Sequence, residues 1–326
     1  MNDIFFGLLA IVVGVAASYG LYWLLNFIIS LLPERIRKKS DWLAFLTPAA
    51  VLVILILIAP LIQTIAWSFM DDGGKKWVGF KNFVDLFSDQ RFLQILLNNF
   101  LWVLVVPAIT VAFGTAAAAL SNQVGPKLES IFKSLIFMPM AISFVAASTI
   151  WSYFYAYVPP GRPEIGLLNA VIKSLGFSTL PLLTIDKGHL NSFLLMAVIV
   201  WLQVGYAMVV ISSAIKAVPI ETIEAAQLDG ANPWQVFANI ILPQVWGTVM
   251  SVFVTTLILV MKIFDIVLAM TRGNFNTSVL AFEWYKQFFE NSNIGPASAV
   301  ITILVLLIAP LMWLQIQTAR HQETLR

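Results

Sequence analysis

The chain has 326 residues, 60% of them apolar and only 11% charged, with a formal net charge of +2. A soluble domain carries about 25% charged residues, and a mean hydropathy of +0.87 excludes one here. The near-neutral charge gives no footing for nucleic acid, and the absence of cysteine excludes disulfides, thiolate metal sites and a lipoprotein anchor.

Crossing a bilayer takes roughly 20 apolar residues per helix. Seven stretches meet that length: Ile4–Leu32, Leu43–Met70, Phe100–Leu120, Ile131–Tyr157, Phe193–Ala217, Val245–Met270 and Ala297–Gln317. Lipid leaves only helices and closed barrels able to satisfy the backbone, and the alternation of barrel strands is missing. The predicted fold class is therefore an all-α integral membrane protein of about seven transmembrane helices. The first stretch is not expected to be a signal peptide, because Met1-Asn2-Asp3 carries no base and the apolar run is too long. It is expected to be a retained helix with its N-terminus outside. The bulk Lys/Arg count is balanced across the membrane. The short connection after the first stretch, however, holds Arg35-Ile36-Arg37-Lys38-Lys39, and local basic bias in short loops sets orientation. This predicts a multi-pass protein of the cytoplasmic (inner) membrane, with a cytoplasmic C-terminus and a cytoplasmic Val218–Pro243 segment.

The fourth stretch closes on Trp151, Tyr153, Tyr155 and Tyr157, read as an interfacial aromatic belt or, alternatively, as contacts to an external protein. In the fifth, Ile199, Leu202, Gln203 and Tyr206 share one face. In the sixth, Thr256, Leu259, Val260 and Ile263 share another. Polar residues within spans are functional candidates, while helix packing is the alternative for each of these, and Thr256 is able to bond back to its own helix. Lys262 and Asp265 either pair on the helix surface or Lys262 snorkels to the interface. No internal repeat or low-complexity tract appears.

No G-x-x-x-x-G-K-[ST] phosphate loop exists: Gly74-Lys75-Lys76 lacks the first glycine and the hydroxyl residue. His189 and His321 stand far apart, and neither H-E-x-x-H nor G-x-S-x-G occurs. The chain is expected to hold no catalytic residue, metal or cofactor of its own.

Between the fifth and sixth stretches lies VPIETIEAAQLDGANPWQVFANIILP, residues Val218–Pro243. It is too polar to span and too well punctuated for a slack loop. Pro219 suits a first helical turn, Glu221 and Glu224 favour a helix N-terminus, and Gly230 sits where a C-terminal cap belongs. Asn232 then reads as an N-cap with Pro233 at the first helical position. Two short helices around Gly230 are predicted, the second ending at about Leu242 before Pro243 opens the next span. Interfacial amphipathic helices carry Lys/Arg on their polar face, whereas this one carries Glu221, Glu224 and Asp229. A docking device for a soluble partner fits better than a helix lying on lipid.

Glu224-Ala225-Ala226, then Gly230, then Ile240-Ile241-Leu242-Pro243 resembles the EAA loop of binding-protein-dependent ABC importer permeases. Four further stretches are similar to family elements: Trp77-Val78-Gly79-Phe80-Lys81-Asn82-Phe83, Gly166-Leu167-Leu168-Asn169, Phe264-Asp265 with Thr271-Arg272-Gly273, and Gly295-Pro296-Ala297-Ser298-Ala299. Together they resemble the carbohydrate-uptake branch with its maltose/oligosaccharide-type permeases. The turn Thr271-Arg272-Gly273-Asn274-Phe275 departs from the family's usual T-G-G-G-P. The resemblance divides the chain into residues 1–42, an extra N-terminal helix with its basic loop, and residues 43–326, a six-helix permease core. It implies that Glu221, Glu224, Ala225, Ala226, Asp229, Gly230, Ala231, Leu242 and Pro243 couple the spans to an ATPase. It also implies that the spans flanking this loop, with Leu202, Gln203, Tyr206, Thr256, Leu259, Val260 and Ile263, line the solute path. The implied partners are a second homologous permease, an ATPase dimer carrying the ATP and Mg, and an external solute-binding protein. The implied cargo is a di- or oligosaccharide such as an α-glucoside. Glycerol phosphate, a polyamine or an amino acid are alternatives, and a self-sufficient secondary transporter or channel is the reading from another class.

Overall fold

The computed structural model describes residues 2–31, 45–159 and 161–324. The chain forms two compact units, Met1–Trp67 and Ser68–Arg326. The basic cluster Arg35–Lys39 lies outside the described residues.

The first unit consists of α1 (Asn2–Ser30) and α2 (Phe45–Trp67). Phe5, Val12 and Trp23 on α1 and Leu55 and Ile56 on α2 are all exposed. Helices that are apolar all round belong in lipid. The rings of Tyr22 and Phe45 meet at 5.2 Å. Within α2, Ile54–Ile58 form a π-helical turn just ahead of Pro60. A proline ring clashes with the carbonyl four residues back, and the widened turn gives it room.

In the second unit, an isolated antiparallel bridge joins Met70 and Trp77. The amides of Lys76 and Lys75 donate to Asp71 Oδ1, at 3.1 and 2.8 Å, and hold its carboxyl below the usual carboxylate range. The helices that follow are α3 (Lys81–Ser88), α4 (Gln90–Ser121), α5 (Pro126–Phe137), α6 (Phe144–Phe154), α7 (Leu167–Ser174), α8 (Leu190–Lys216), α9 (Ile220–Leu228), α10 (Pro233–Met261), α11 (Asp265–Met270), α12 (Leu280–Tyr285) and α13 (Ile294–Thr324). α4 and α8 form the spine. A Cβ on Gly114 would stand 2.5 Å from that of Ala207, so the two backbones approach as only a glycine permits. Trp102, Val106, Leu195, Met196 and Ile199 fill the core beside them.

Several of the family-like motifs act as backbone clamps. Asn82 donates to the carbonyls of Ser68 (2.9 Å) and Met70 (2.7 Å), and a Cβ on Gly295 would lie 2.6 Å from the Asp71 carbonyl. Buried Asn169 donates to Ala156 O (2.9 Å) and Leu180 O (3.0 Å) and accepts the Leu180 amide (2.9 Å). In the divergent turn, Arg272, Phe275 and Asn276 have left-handed backbones. The turn is held from outside: Asn98 donates to Asn276 O (2.6 Å) and Ser278 O (2.9 Å), Asn191 donates to Phe275 O (2.7 Å), and Asn99 accepts the Leu280 amide (2.7 Å).

Three expectations need correction. The stretch Ile131–Tyr157 is not one straight span: α5 runs on as a tight 3-10 turn to Ala141, and Pro126–Ala141 and α6 bend by 102° at Ile142–Ser143, where Ser143 caps the new helix. The stretch Val245–Met270 breaks at Lys262–Phe264, so its last turns belong to the separate α11. Of the aromatic group at the end of the fourth stretch, Tyr155 is internal, donating its hydroxyl to Leu194 O at 3.1 Å.

Candidate functional site

The segment between α8 and the following span folds as a helical hairpin. Pro219 is the N-cap of α9 and not its first helical residue. At the far end the Gly230 amide donates to Gln227 O and the Ala231 amide to Ala226 O, each at 3.0 Å, with Gly230 at φ +83°. This is a Schellman cap, in which the left-handed glycine lets the chain turn back and satisfy the last carbonyls. Asn232 then caps α10 reciprocally: its Oδ1 accepts the Gln235 amide (2.9 Å) and its own amide donates to Gln235 Oε1 (2.8 Å).

The second helix of the hairpin does not stop at Pro243. It runs unbroken from Pro233 to Met261 through a π-helical turn at Phe237–Ile241, the accommodation also seen ahead of Pro60. Leu242 and Pro243 thus lie within one continuous helix.

The hairpin is fixed at its root and bare at its tip. Val236 is buried, and Ile223, Ala226 and Ala231 are half-buried. Glu221, Glu224, Ala225 and Asp229 are exposed, and so are two large apolar side chains, Leu228 (88%) and Trp234 (73%). Two apolar clefts flank the root: one of about 900 Å³ bordered by Pro219, Pro243, Trp246 and Phe253, and one of about 600 Å³ bordered by Leu120, Trp234, Phe237 and Trp246.

A polar cluster unforeseen from sequence ties this root to the bundle. Glu129 on α5 receives both Lys133 and Lys216 at 2.5 Å. Lys133 also donates to the Ser212 hydroxyl, which in turn donates to Asn122 Oδ1 at 2.8 Å. Three helices, α4, α5 and α8, are thereby joined one turn before the hairpin begins. The Glu129/Lys133 spacing of i, i+4 was visible in the chain; the arrival of Lys216 was not.

A second cavity lies between the broken helices and α8. Ile142, Ser143, Phe144, Leu202, Gln203 and Asp265 border a cavity of about 440 Å³. Gln203 stands midway along α8. Both broken helices reach this cavity, α5/α6 through Ile142–Phe144 and α10/α11 through Asp265. Gly205 makes the approach possible, since a Cβ there would sit 2.6 Å from Phe137 Cα and nearer still to the Ile136 carbonyl. Of the predicted path residues, Leu202 and Gln203 face this cavity. Tyr206 packs half-buried among Ala207, Ile211 and Val249. Leu259, Val260 and Ile263 belong to the packed interior, and Thr256 bonds back to Val252 O at 2.9 Å. Lys262 is exposed and forms no ion pair with Asp265. Among the described residues no cluster of metal-ligating side chains occurs.

Residues 108–320 match the family described as binding-protein-dependent transport system inner membrane component. The chain is similar to the osmoprotective compounds uptake permease protein GgtC of Synechocystis sp., with 44% identity covering 86% of this chain and 100% of that protein. It is also similar to the alpha-glucoside transport system permease protein AglF of Rhizobium meliloti, with 38% identity covering 99% of each. Among solved structures, a chain of the bacterial alginate ABC transporter in complex with alginate pentasaccharide-bound periplasmic protein has the same fold, with a TM-score of 0.75 and 21% identity over 88% of this chain and 98% of that one.

Proposed function

Because the chain belongs to the family of binding-protein-dependent transport system inner membrane components, and is a transport subunit and not an enzyme, we propose that it imports a di- or oligosaccharide, such as the α-glucosides for which the relative matched over 99% of both chains is named. It works beside a second homologous permease, with ATP and Mg held by a separate ATPase dimer and the solute delivered by an external binding protein. The hairpin and the C-terminus lie on the cytoplasmic side, where the ATPase is.

The observation that carries this reading is the hairpin Ile220–Val236. Leu228 and Trp234 project beside Glu221, Glu224 and Asp229 from a turn locked by a Schellman cap and a capping box. A rigid projection with an apolar tip suits a groove on a soluble subunit, and it is continuous with a membrane-spanning helix. Solute passes by alternating access: the ATPase closes, the hairpin moves with it, and α8 and α10 on either side of the hairpin re-orient. The sugar reading is supported by the relative matched over 99% of both chains, which takes α-glucosides, and by the cavity at Gln203, whose amide both donates to and accepts from hydroxyls.

Glu224→Lys and Gly230→Glu are expected to abolish solute uptake by reconstituted importer while leaving membrane insertion intact. Normal uptake in both variants would remove the coupling role. Purification without any accompanying phosphate-loop ATPase would favour a self-sufficient transporter instead.

A further inference from the structure

We propose that Asp265 is the charge filter of the cavity at Gln203, admitting uncharged, hydroxyl-bearing solutes and turning away anionic ones. This rests on the reading of the chain as a solute permease and names the class of solute the path accepts.

Asp265 is the one formal charge among the residues that border the cavity. Its carboxylate has no hydrogen bond and no ion pair among the described residues. The nearest base in sequence, Lys262, is exposed and does not border the cavity. Half-buried Asp265 shares the cavity with buried Gln203, which stands midway along α8. Unpaired carboxylates within membrane bundles face aqueous cavities and solute paths. The chain brings it there by breaking a helix. Lys262–Phe264 leave the helical path, and Asp265 begins α11 with its side chain turned toward the cavity.

The surrounding groups suit a sugar. A carboxylate only accepts hydrogen bonds, while Gln203 both donates and accepts, so the pair is matched to vicinal hydroxyls. Ser143 Oγ accepts the Ala146 amide at 3.2 Å and keeps its proton for a ligand. Ile142, Phe144 and Leu202 supply apolar surface for the face of a sugar ring. The volume of about 440 Å³ is within the range of ligand pockets. Because the walls are apolar, repulsion between Asp265 and an incoming carboxylate or phosphate is poorly screened.

The test uses the complete importer, permease pair with ATPase, in lipid nanodiscs. Saturation-transfer NMR compares maltose, its carboxylate analogue maltobionate and the cation glucosamine. For the native importer, maltose is expected to outcompete maltobionate by about tenfold, the ratio that roughly 1.4 kcal/mol of repulsion produces. Asp265→Asn should bring that ratio toward one, and Asp265→Lys should reverse it. Gln203→Leu should weaken both disaccharides while leaving the ratio in place, which a merely structural effect of Asp265 would not reproduce. If Asp265→Lys fails to assemble, Asp265→Asn alone decides. Equal binding of maltose and maltobionate, weaker binding of glucosamine to the native importer than to Asp265→Asn, binding of none of the three, or an unchanged ratio in Asp265→Asn would each overturn the proposal. Failure of the permease reading shows separately, as absence of the ATPase from the purified complex.

Discussion

Gly205→Ala offers a sharp test of the packing at mid-bundle. In an isolated helix, alanine in place of glycine stabilises by about 1 kcal/mol. Here the added Cβ would stand 2.6 Å from Phe137 Cα and closer to the Ile136 carbonyl, where ordinary contact begins at 3.4 Å. Both obstructing atoms are backbone, so no rotamer change relieves the clash. α8 and the end of α5 must separate by about 1 Å, an overpacking strain of about 1–3 kcal/mol. The net expectation is a loss of up to about 2 kcal/mol, read as a fall in melting temperature of up to about 8 °C. The assay is fluorescence-detected thermal unfolding of the detergent-purified protein, with Gly20→Ala as control. Gly20 is an exposed helical glycine whose Cβ would meet nothing within 4 Å, and its substitution should leave the melt unchanged or raise it. A Gly205→Ala protein that melts at or above the native temperature would refute the close approach.

Asn169→Ala strands the Ala156 carbonyl and both polar groups of Leu180 in a buried site. The expected cost is about 1–3 kcal/mol for each group left unsatisfied, with faster hydrogen exchange confined to residues 156–190; an unaltered exchange profile would contradict the clamp. Glu129→Gln releases Lys216 at the base of the hairpin. Solute uptake should fall while ATP hydrolysis by the partner persists, and Lys216→Met should add little to it; full uptake in Glu129→Gln would show that the tie has no part in coupling.

Local signals served well wherever one or two residues decide the geometry. Gly230, Asn232 and Pro233 each specify a backbone conformation by themselves, so the hairpin turn was legible. What escaped was long-range. Pro243 reads as a stop because proline lacks an amide, yet the π-helical turn before it absorbs the clash and the helix continues. Ile131–Tyr157 is apolar throughout, and apolarity reports membrane residence without reporting direction. Its 102° bend is set by Ser143 and contact with Gly205 on a helix distant in sequence. The same limit hid Asp265. Three residues from Lys262 on an imagined continuous helix, it reads as that lysine's partner or as the neighbour of a snorkelling lysine; the break at Lys262–Phe264 intervenes and the carboxylate borders the cavity. Thr256, by contrast, behaves as the local rule expects, spending its hydroxyl on its own helix.

The continuity of Pro233–Met261 has a mechanical consequence. Its 29 residues, at 1.5 Å of rise each, make a rod about 43 Å long. Trp234 stands bare at one end, and Met261 lies buried beside the break at the other. With no hinge along the rod, a tilt of only about 5° pivoted at one end carries the other through roughly 4 Å, a length set by the helical rise alone. The first break beyond the rod is the three residues Lys262–Phe264. Asp265 is the next residue, so the rod ends beside the carboxylate that borders the cavity.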